Sequence, residues 1–148
     1  MIIAYHTACL LSPPDDSRFY LFPFSPVAYE RHRFNTQKLT RSGKPLVYDP
    51  LGSLKKSILP LVIAQSRMKP LCGAICMHIA FLTPILKSHK NTQEGDWNPK
   101  KPDNSNYTKF YEDLLNGYAY QDDAQIVQTF AKKVYSSSPS THIILHTL

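Results

Sequence analysis

Apolar residues recur along this chain with two periods. Tyr107, Phe110, Tyr111 and Leu114 fall at i, i+3, i+4 and i+7, the spacing of one buried stripe on a helix; Asn106, Lys109, Asp113 and Asn116 share the opposite, polar side. The Lys101-Pro102 pair holds the backbone extended ahead of that stripe. Asp103, Asn104, Ser105 and Asn106 are all N-cap types, so the helix is predicted to open among them. Gly117 supplies a left-handed C-cap, which ends it at Asn116. A second helix is predicted from an N-cap at Ser53 to about Arg67, with Leu54, Ile58, Leu61 and Ile63 as its apolar side. Pro60 interrupts it, so a kink or two short helices are expected.

Alternation with period two predicts the strands. Leu71 to Leu82 has Leu71, Gly73, Ile75, Met77, Ile79 and Phe81 on one face, and Cys72, Ala74, Cys76, His78 and Ala80 on the other. Both faces read as buried, which suits a central strand covered by helices. Phe19 to Phe24 is predicted as a strand broken by Pro23 and Pro26. Gln125 to Tyr135 and Thr141 to Thr147 are predicted as two strands joined by Ser136 to Ser140, a hairpin or neighbouring pair that closes the sheet. Lys132 and Lys133 alternate on the first, so at least one should be exposed. The resulting fold class is α+β: a single compact domain with a mixed, mostly antiparallel sheet of about four or five strands and two main helices.

Size and composition agree with that class. A chain of 148 residues with 43% hydrophobic residues and a mean hydropathy of −0.30 can bury a core of its own and is expected to be soluble. Met1 to Leu11 is apolar but lacks a positive n-region and is too short to span a bilayer, so no membrane association is expected. The three cysteines, Cys9, Cys72 and Cys76, form no disulfide framework and suit a reducing, cytoplasmic setting. Residues 1–17 read as an arm, and 18–148 as the folded domain.

Charge divides the chain unevenly. Residues 1–90 hold 12 Lys and Arg against 4 Asp and Glu, whereas 91–148 hold 5 against 7. Arg31, Arg33, Lys38, Arg41 and Lys44 lie in a stretch without acidic residues, interleaved with Asn, Thr, Ser and Gly, as in an exposed loop or hairpin tip. Lys87, Lys90, Lys100 and Lys101 lie in a long polar loop that reads as a flexible lid, with Trp97 as its anchor. Both basic segments are candidate phosphate contacts. Lys55 and Lys56 are expected to face solvent.

The acidic half holds the candidate chemistry. Asp103 at one turn and Asp122-Asp123 at another can meet at one end of a helix–strand unit. Hard cations such as Mg²⁺ take carboxylate oxygens arranged in this way. Lys109, less than two turns from Asp103, is placed to reach a phosphate, and Asp113, one turn further, to orient it. On spacing alone a cap and a turn are the commoner meaning of these carboxylates. Cys72, Cys76 and His78 share a strand face, but their spacing matches no common zinc signature and a fourth ligand is missing, so packing under a helix is preferred and no zinc is expected. His142 and His146 share a strand face and read as structural.

Asp103, Asn106, Lys109, Asp113, Gly117, Asp122, Asp123 and Gln125 together resemble the RusA family of Holliday-junction endonucleases in a single register. The likeness is strong over Lys100 to Val127 and weaker over Phe19 to Pro50, where Pro26, Arg31, Arg33, Gly43 and Tyr48-Asp49-Pro50 fit the family's basic segment. It implies a homodimer that cuts branched DNA in recombination and repair with Mg²⁺ (or Mn²⁺). Asp103, Lys109 and Asp123 would be catalytic, and Asp103, Asp123 and Asp122 would hold the metal. One departure is Ser105, where the family has a second Asp. A junction-binding protein with a weakened site is therefore the alternative.

Overall fold

The computed structural model describes residues 16–88 and 91–148, with the side chains at 34–37, 39 and 46 left aside. The expected arm up to residue 15, including Cys9, and Lys90 lie outside the described residues. Among the described residues six strands and two helices follow in the order β1 (Arg18–Phe22), β2 (Arg33–Leu39), β3 (Pro45–Tyr48), α1 (Gly52–Gln65), β4 (Ile75–Pro84), α2 (Asn104–Leu115), β5 (Ile126–Ser136) and β6 (Ser140–Thr147). A 3-10 turn, Asp123–Gln125, leads into β5. The main sheet runs β1-β6-β4-β5, and β2 and β3 form a separate two-stranded hairpin. Within the main sheet β4 and β5 are parallel and the other pairs antiparallel, so the predicted mixed α+β architecture is present.

Helix α2 is built as its pattern requires. Tyr107, Phe110, Tyr111 and Leu114 are buried, and Gly117 adopts a φ of 80°, the left-handed conformation that stops the helix. These residues form one core with Ile58 and Val62 of α1, Tyr20 and Phe22 of β1, Ile75, Met77, Ile79 and Phe81 of β4, and Ile143 and Leu145 of β6. Both helices therefore cover the same face of the sheet. Cys76, His78 and Ala80 point to the other face, where Phe19, Leu21 and Phe130 are exposed. Among the described residues no helix lies over that face, and β4 is central and buried on both sides.

Other expectations are corrected by the same packing. The strand predicted from Leu71 begins only at Ile75, because Gly73 turns the chain with a φ of 86° and Leu71 makes an isolated bridge to Tyr120. The strands β5 and β6 are not paired with each other; β4 lies between them. β6 is buried along nearly its whole length and takes an interior place, whereas β5 is exposed over its first half and forms an edge. Helix α1 runs unbroken through Pro60, which is exposed, so the carbonyl deprived of its partner can face water. Its buried stripe is Ile58 and Val62, with Leu54 and Ile63 exposed, and Ser53 is not its cap. Asp49 instead fixes the turn before it, accepting a hydrogen bond from the Leu51 N–H at 2.9 Å.

Candidate active site

Three elements meet where α2 begins. The backbone N–H of Tyr29 donates to the Asn106 carbonyl at 2.8 Å, tying the approach to the basic hairpin to the first turn of α2. Tyr29 is partly buried against the core, with the Lys55 ammonium 6.0 Å from its ring centre, and it lines the cleft beside α2. Lys55 is not the solvent-facing residue expected: it bridges Asp49 at 3.1 Å and Asp113 at 3.6 Å.

Asp103 occupies the N-cap position of α2 but makes no capping hydrogen bond to the helix backbone. Its carboxylate accepts instead from side chains on the first turn, from Ser105 Oγ and from Asn106 Nδ2, each at 2.8 Å. The Ser105 hydroxyl first, then the residue's own backbone N–H, Asn106, and Lys133 through space, hold its acid strength above that of an ordinary aspartate. A cap is thereby excluded as the role of this side chain. Ser105 stands on the first Asp as a donor, so the exchanged position still shapes the site.

Lys109 lies one and a half turns along the same helix. Its Nζ donates to Asp123 Oδ2 at 2.8 Å and lies 2.9 Å from Asp113 Oδ1. Asp123 first, and Asp113 second, raise the pKa of this ammonium well above the lysine range, and Lys109 in turn lowers that of Asp123. Asp122 has a different task. Its Oδ1 accepts the Ala124 N–H at 2.8 Å, and Gln125 Oε1 answers by accepting the N–H of Asp122, a capping box that fixes the turn carrying Asp123. The Gln125 amide also donates to the carbonyls of Leu71 and Gly73, which docks that turn on the segment leading into β4.

Two clefts open on either side of the α2 N-terminus. One, of about 630 Å³, is lined by Arg31, Ser105, Asn106, Lys109 and Glu112 among others, so partners of both Asp103 and Asp123 face it. The other, of about 370 Å³, is lined by Trp97, Lys100, Lys101, Asp103, Lys132 and Lys133. Carboxylates flanked by cationic walls are an arrangement for gripping a phosphodiester and an ion together. A sequence profile described as "Endodeoxyribonuclease RusA" matches residues 23–146. The chain belongs to the RusA family. Nucleases of the RusA type act on branched DNA junctions and in general depend on a divalent metal. The chain is also 32% identical over 130 residues to the uncharacterized protein YqaN of Bacillus subtilis (strain 168), covering 81% of this chain and 89% of that one.

With the RusA frame in place, two residues that the sequence reading missed become visible. Glu112 is partly buried and lines the larger cleft; burial raises its pKa, and Asp123 and Asp113 add to the rise. It lies three residues beyond Lys109, which is the only signal the sequence offers. Lys133 is buried, contrary to the expectation that one of Lys132 and Lys133 would be exposed, since Lys132 is itself partly covered. The Lys133 ammonium donates to the carbonyls of Lys100 and Pro102 and so holds the segment that delivers Asp103.

The segment before Asp103 is not a free lid. Gly95 and Tyr135, Asp96 and Tyr135, and Asn98 and Lys133 are joined by backbone hydrogen bonds that zip residues 95–98 along the edge of β5. Glu94 accepts the Ser137 N–H at 2.6 Å and Asp96 the Gln93 N–H at 2.8 Å, so neither carboxylate is turned to Asp103. Trp97 is 71% exposed and is no anchor; its backbone bridges to Val134 and its ring lies open on the cleft. Arg31 lines the larger cleft, Arg33 pairs with Glu30 at 2.9 Å, and Lys38, Arg41 and Lys44 lie exposed on the hairpin. Lys87 is exposed after β4. Replacing Lys133 by Met would leave two carbonyls without their charged donor, so we expect a stability loss of about 1.5–3 kcal/mol in chemical denaturation. An unchanged midpoint and slope would show that the lysine does not hold this segment.

Proposed function

We propose that this RusA-family chain is a Mg²⁺-dependent endonuclease that resolves Holliday junctions and related branched DNA in recombination and repair. The observation that carries the reading is the state of the two carboxylates. Asp103 is spared from capping and oriented by Ser105 and Asn106, while Asp123 already accepts a cation, the Lys109 ammonium. The donor set is oxygen only, and the buried Asn104 Oδ1 beside Asp103 has no hydrogen-bond partner, which fits a hard, hydrated dication. Asp103 and Asp123 would hold the metal, with Asp122 as an auxiliary because its Oδ1 serves the cap. When bound, the ion would neutralise the scissile phosphate and supply an acidified water.

The chain's own residues do the rest. Lys109 sits between Asp123 and Asp113 as a fixed cation, placed to offset charge that grows on the phosphate. Arg31 in the larger cleft, and Lys100, Lys101 and Lys132 around the smaller one, would grip the strands. Arg33, Lys38, Arg41 and Lys44 on the hairpin and Lys87 would extend that grip, with Lys90 outside the described residues. A four-way junction has two-fold symmetry, so paired nicks call for two equivalent sites, and we infer a homodimer.

Salt dependence tests the grip. Arg31→Ala should flatten the slope of log K against log salt by about 0.9 for duplex arms. Arg33→Ala should change it less, since Glu30 already neutralises that guanidinium. Equal slopes for wild type and Arg31→Ala would place Arg31 off the DNA.

Ser105 separates an enzyme from a binder. A unit charge about 4 Å from a dication contributes roughly 8 kcal/mol gross at an effective dielectric of 20, and desolvation cancels much of it. Wild type should therefore cut, with a raised metal requirement. Ser105→Asp should lower the Mg²⁺ needed for half-maximal cleavage on the order of tenfold. If wild type cuts at no Mg²⁺ or Mn²⁺ concentration and Ser105→Asp does, the chain is a junction binder.

A further inference from the structure

The sheet face opposite α1 and α2 carries a second group of metal-binding side chains, supplied by β4 and β6 and sharing no residue with the acidic site. Cys76 and His78 are two residues apart on β4 and so point the same way. His146 on β6 is the cross-strand partner of Cys76. One ligand atom from each of the three lies within 4.8 Å of the other two. Cys72, which the alternation placed with them, is instead exposed ahead of the strand, and His146 joins the other two from β6.

The spacing is near that of a coordination shell. Zn–S bonds of about 2.3 Å and Zn–N bonds of about 2.0 Å at tetrahedral angles put sulfur and nitrogen roughly 3.5 Å apart. Cys76 Sγ and His78 Nε2 are separated by 3.4 Å. The His78 ring is held between Phe130, with centroids 4.8 Å apart, and His146, at 5.7 Å, both close to parallel. A second, independent observation comes from His146. It is only 9% exposed, and its Nδ1 is buried without a hydrogen-bond partner. Buried polar nitrogens are almost always satisfied, so this one asks for a ligand.

We propose that Cys76, His78 and His146 form a binding site for a zinc-class transition metal, separate from the Mg²⁺ site. A thiolate and two imidazoles are borderline-soft donors, which favour Zn²⁺ and reject Mg²⁺. On binding, the Cys76 thiol gives its proton to solvent and its sulfur bonds to the metal. Among the described residues these three are the ligand group, and a tetrahedral site would take one further donor. The ion would clamp β4 to β6 at the centre of the sheet.

Cobalt(II) reports such a site by its colour. The full-length protein, stripped with chelator and titrated with Co²⁺, should show a thiolate-to-cobalt charge-transfer band and the intense visible bands of tetrahedral cobalt, saturating at one ion per chain and erased by Zn²⁺ but not by excess Mg²⁺. Cys76→Ser should abolish the charge-transfer band, and His146→Gln should weaken Zn²⁺ binding by more than about a hundredfold. Cys72→Ser, Asp103→Asn and Asp123→Asn should leave the spectrum as it is. Absence of the band from the wild-type protein overturns the proposal whether or not any variant folds. A band that survives Cys76→Ser, or that is lost with Asp103→Asn, overturns it too.

Discussion

Asp123→Asn is expected to bind a four-way junction with nearly wild-type affinity and to cut it at least about 10³-fold more slowly, the loss that accompanies several kcal/mol of missing charge stabilisation. Asp103→Asn should behave alike. The two carboxylates reach the site by different routes, Asp103 from the start of α2 and Asp123 from the turn before β5. Asp103 lines the smaller cleft, the Lys109 partner of Asp123 lines the larger one, and each carboxylate is engaged by side chains at 2.8 Å. Binding should survive because the cations that grip DNA lie around them. Cleavage assays paired with gel-shift titrations make the separation. A variant that cuts at the wild-type rate removes its carboxylate from the site.

Lys109→Met is expected to reduce cleavage by about 10²- to 10³-fold at saturating Mg²⁺, the usual cost of deleting one preorganised positive group at a site of growing negative charge. It should also lower the Mg²⁺ needed for half-maximal activity. The reason is competition: Lys109 holds Asp123 at 2.8 Å, and its removal frees an oxygen for the ion and leaves Asp113 and Glu112 less compensated. The wild-type ammonium stays charged across any workable assay pH, because Asp123 and Asp113 raise its pKa, so no limb of the rate–pH profile should belong to it. A fall in rate with an unchanged or higher Mg²⁺ requirement would contradict this placement between metal ligand and phosphate.

Much of this arrangement was legible in the sequence wherever one local rule decides. The stripe Tyr107, Phe110, Tyr111 and Leu114 needs a single partner surface, and it found one; Gly117 needs a left-handed turn, and it makes one. Lys109 meets Asp113 because i and i+4 are neighbours on any helix. What escaped reading depends on pairings between distant strands. Neither the insertion of β6 between β1 and β4 nor the resulting meeting of His146 with Cys76 has a local signal, since alternation gives faces but not neighbours. Lys133 looks like any lysine on an edge strand until the segment of Lys100 to Pro102 is laid across it. Trp97 was misplaced for the same reason, because the run that holds it is fastened to β5 by backbone bonds that no side-chain pattern announces.

The central claim is metal-dependent cutting of branched DNA by this chain. The direct measurement is a single-turnover reaction of the wild-type protein with a synthetic four-way junction and with a linear duplex of the same arm sequence, each in Mg²⁺ and in chelator. Paired nicks in opposing strands of the junction, in Mg²⁺ alone and with the duplex left intact, are the predicted result. Nicking that persists in chelator, or a junction bound but uncut at every Mg²⁺ and Mn²⁺ concentration, would contradict the account.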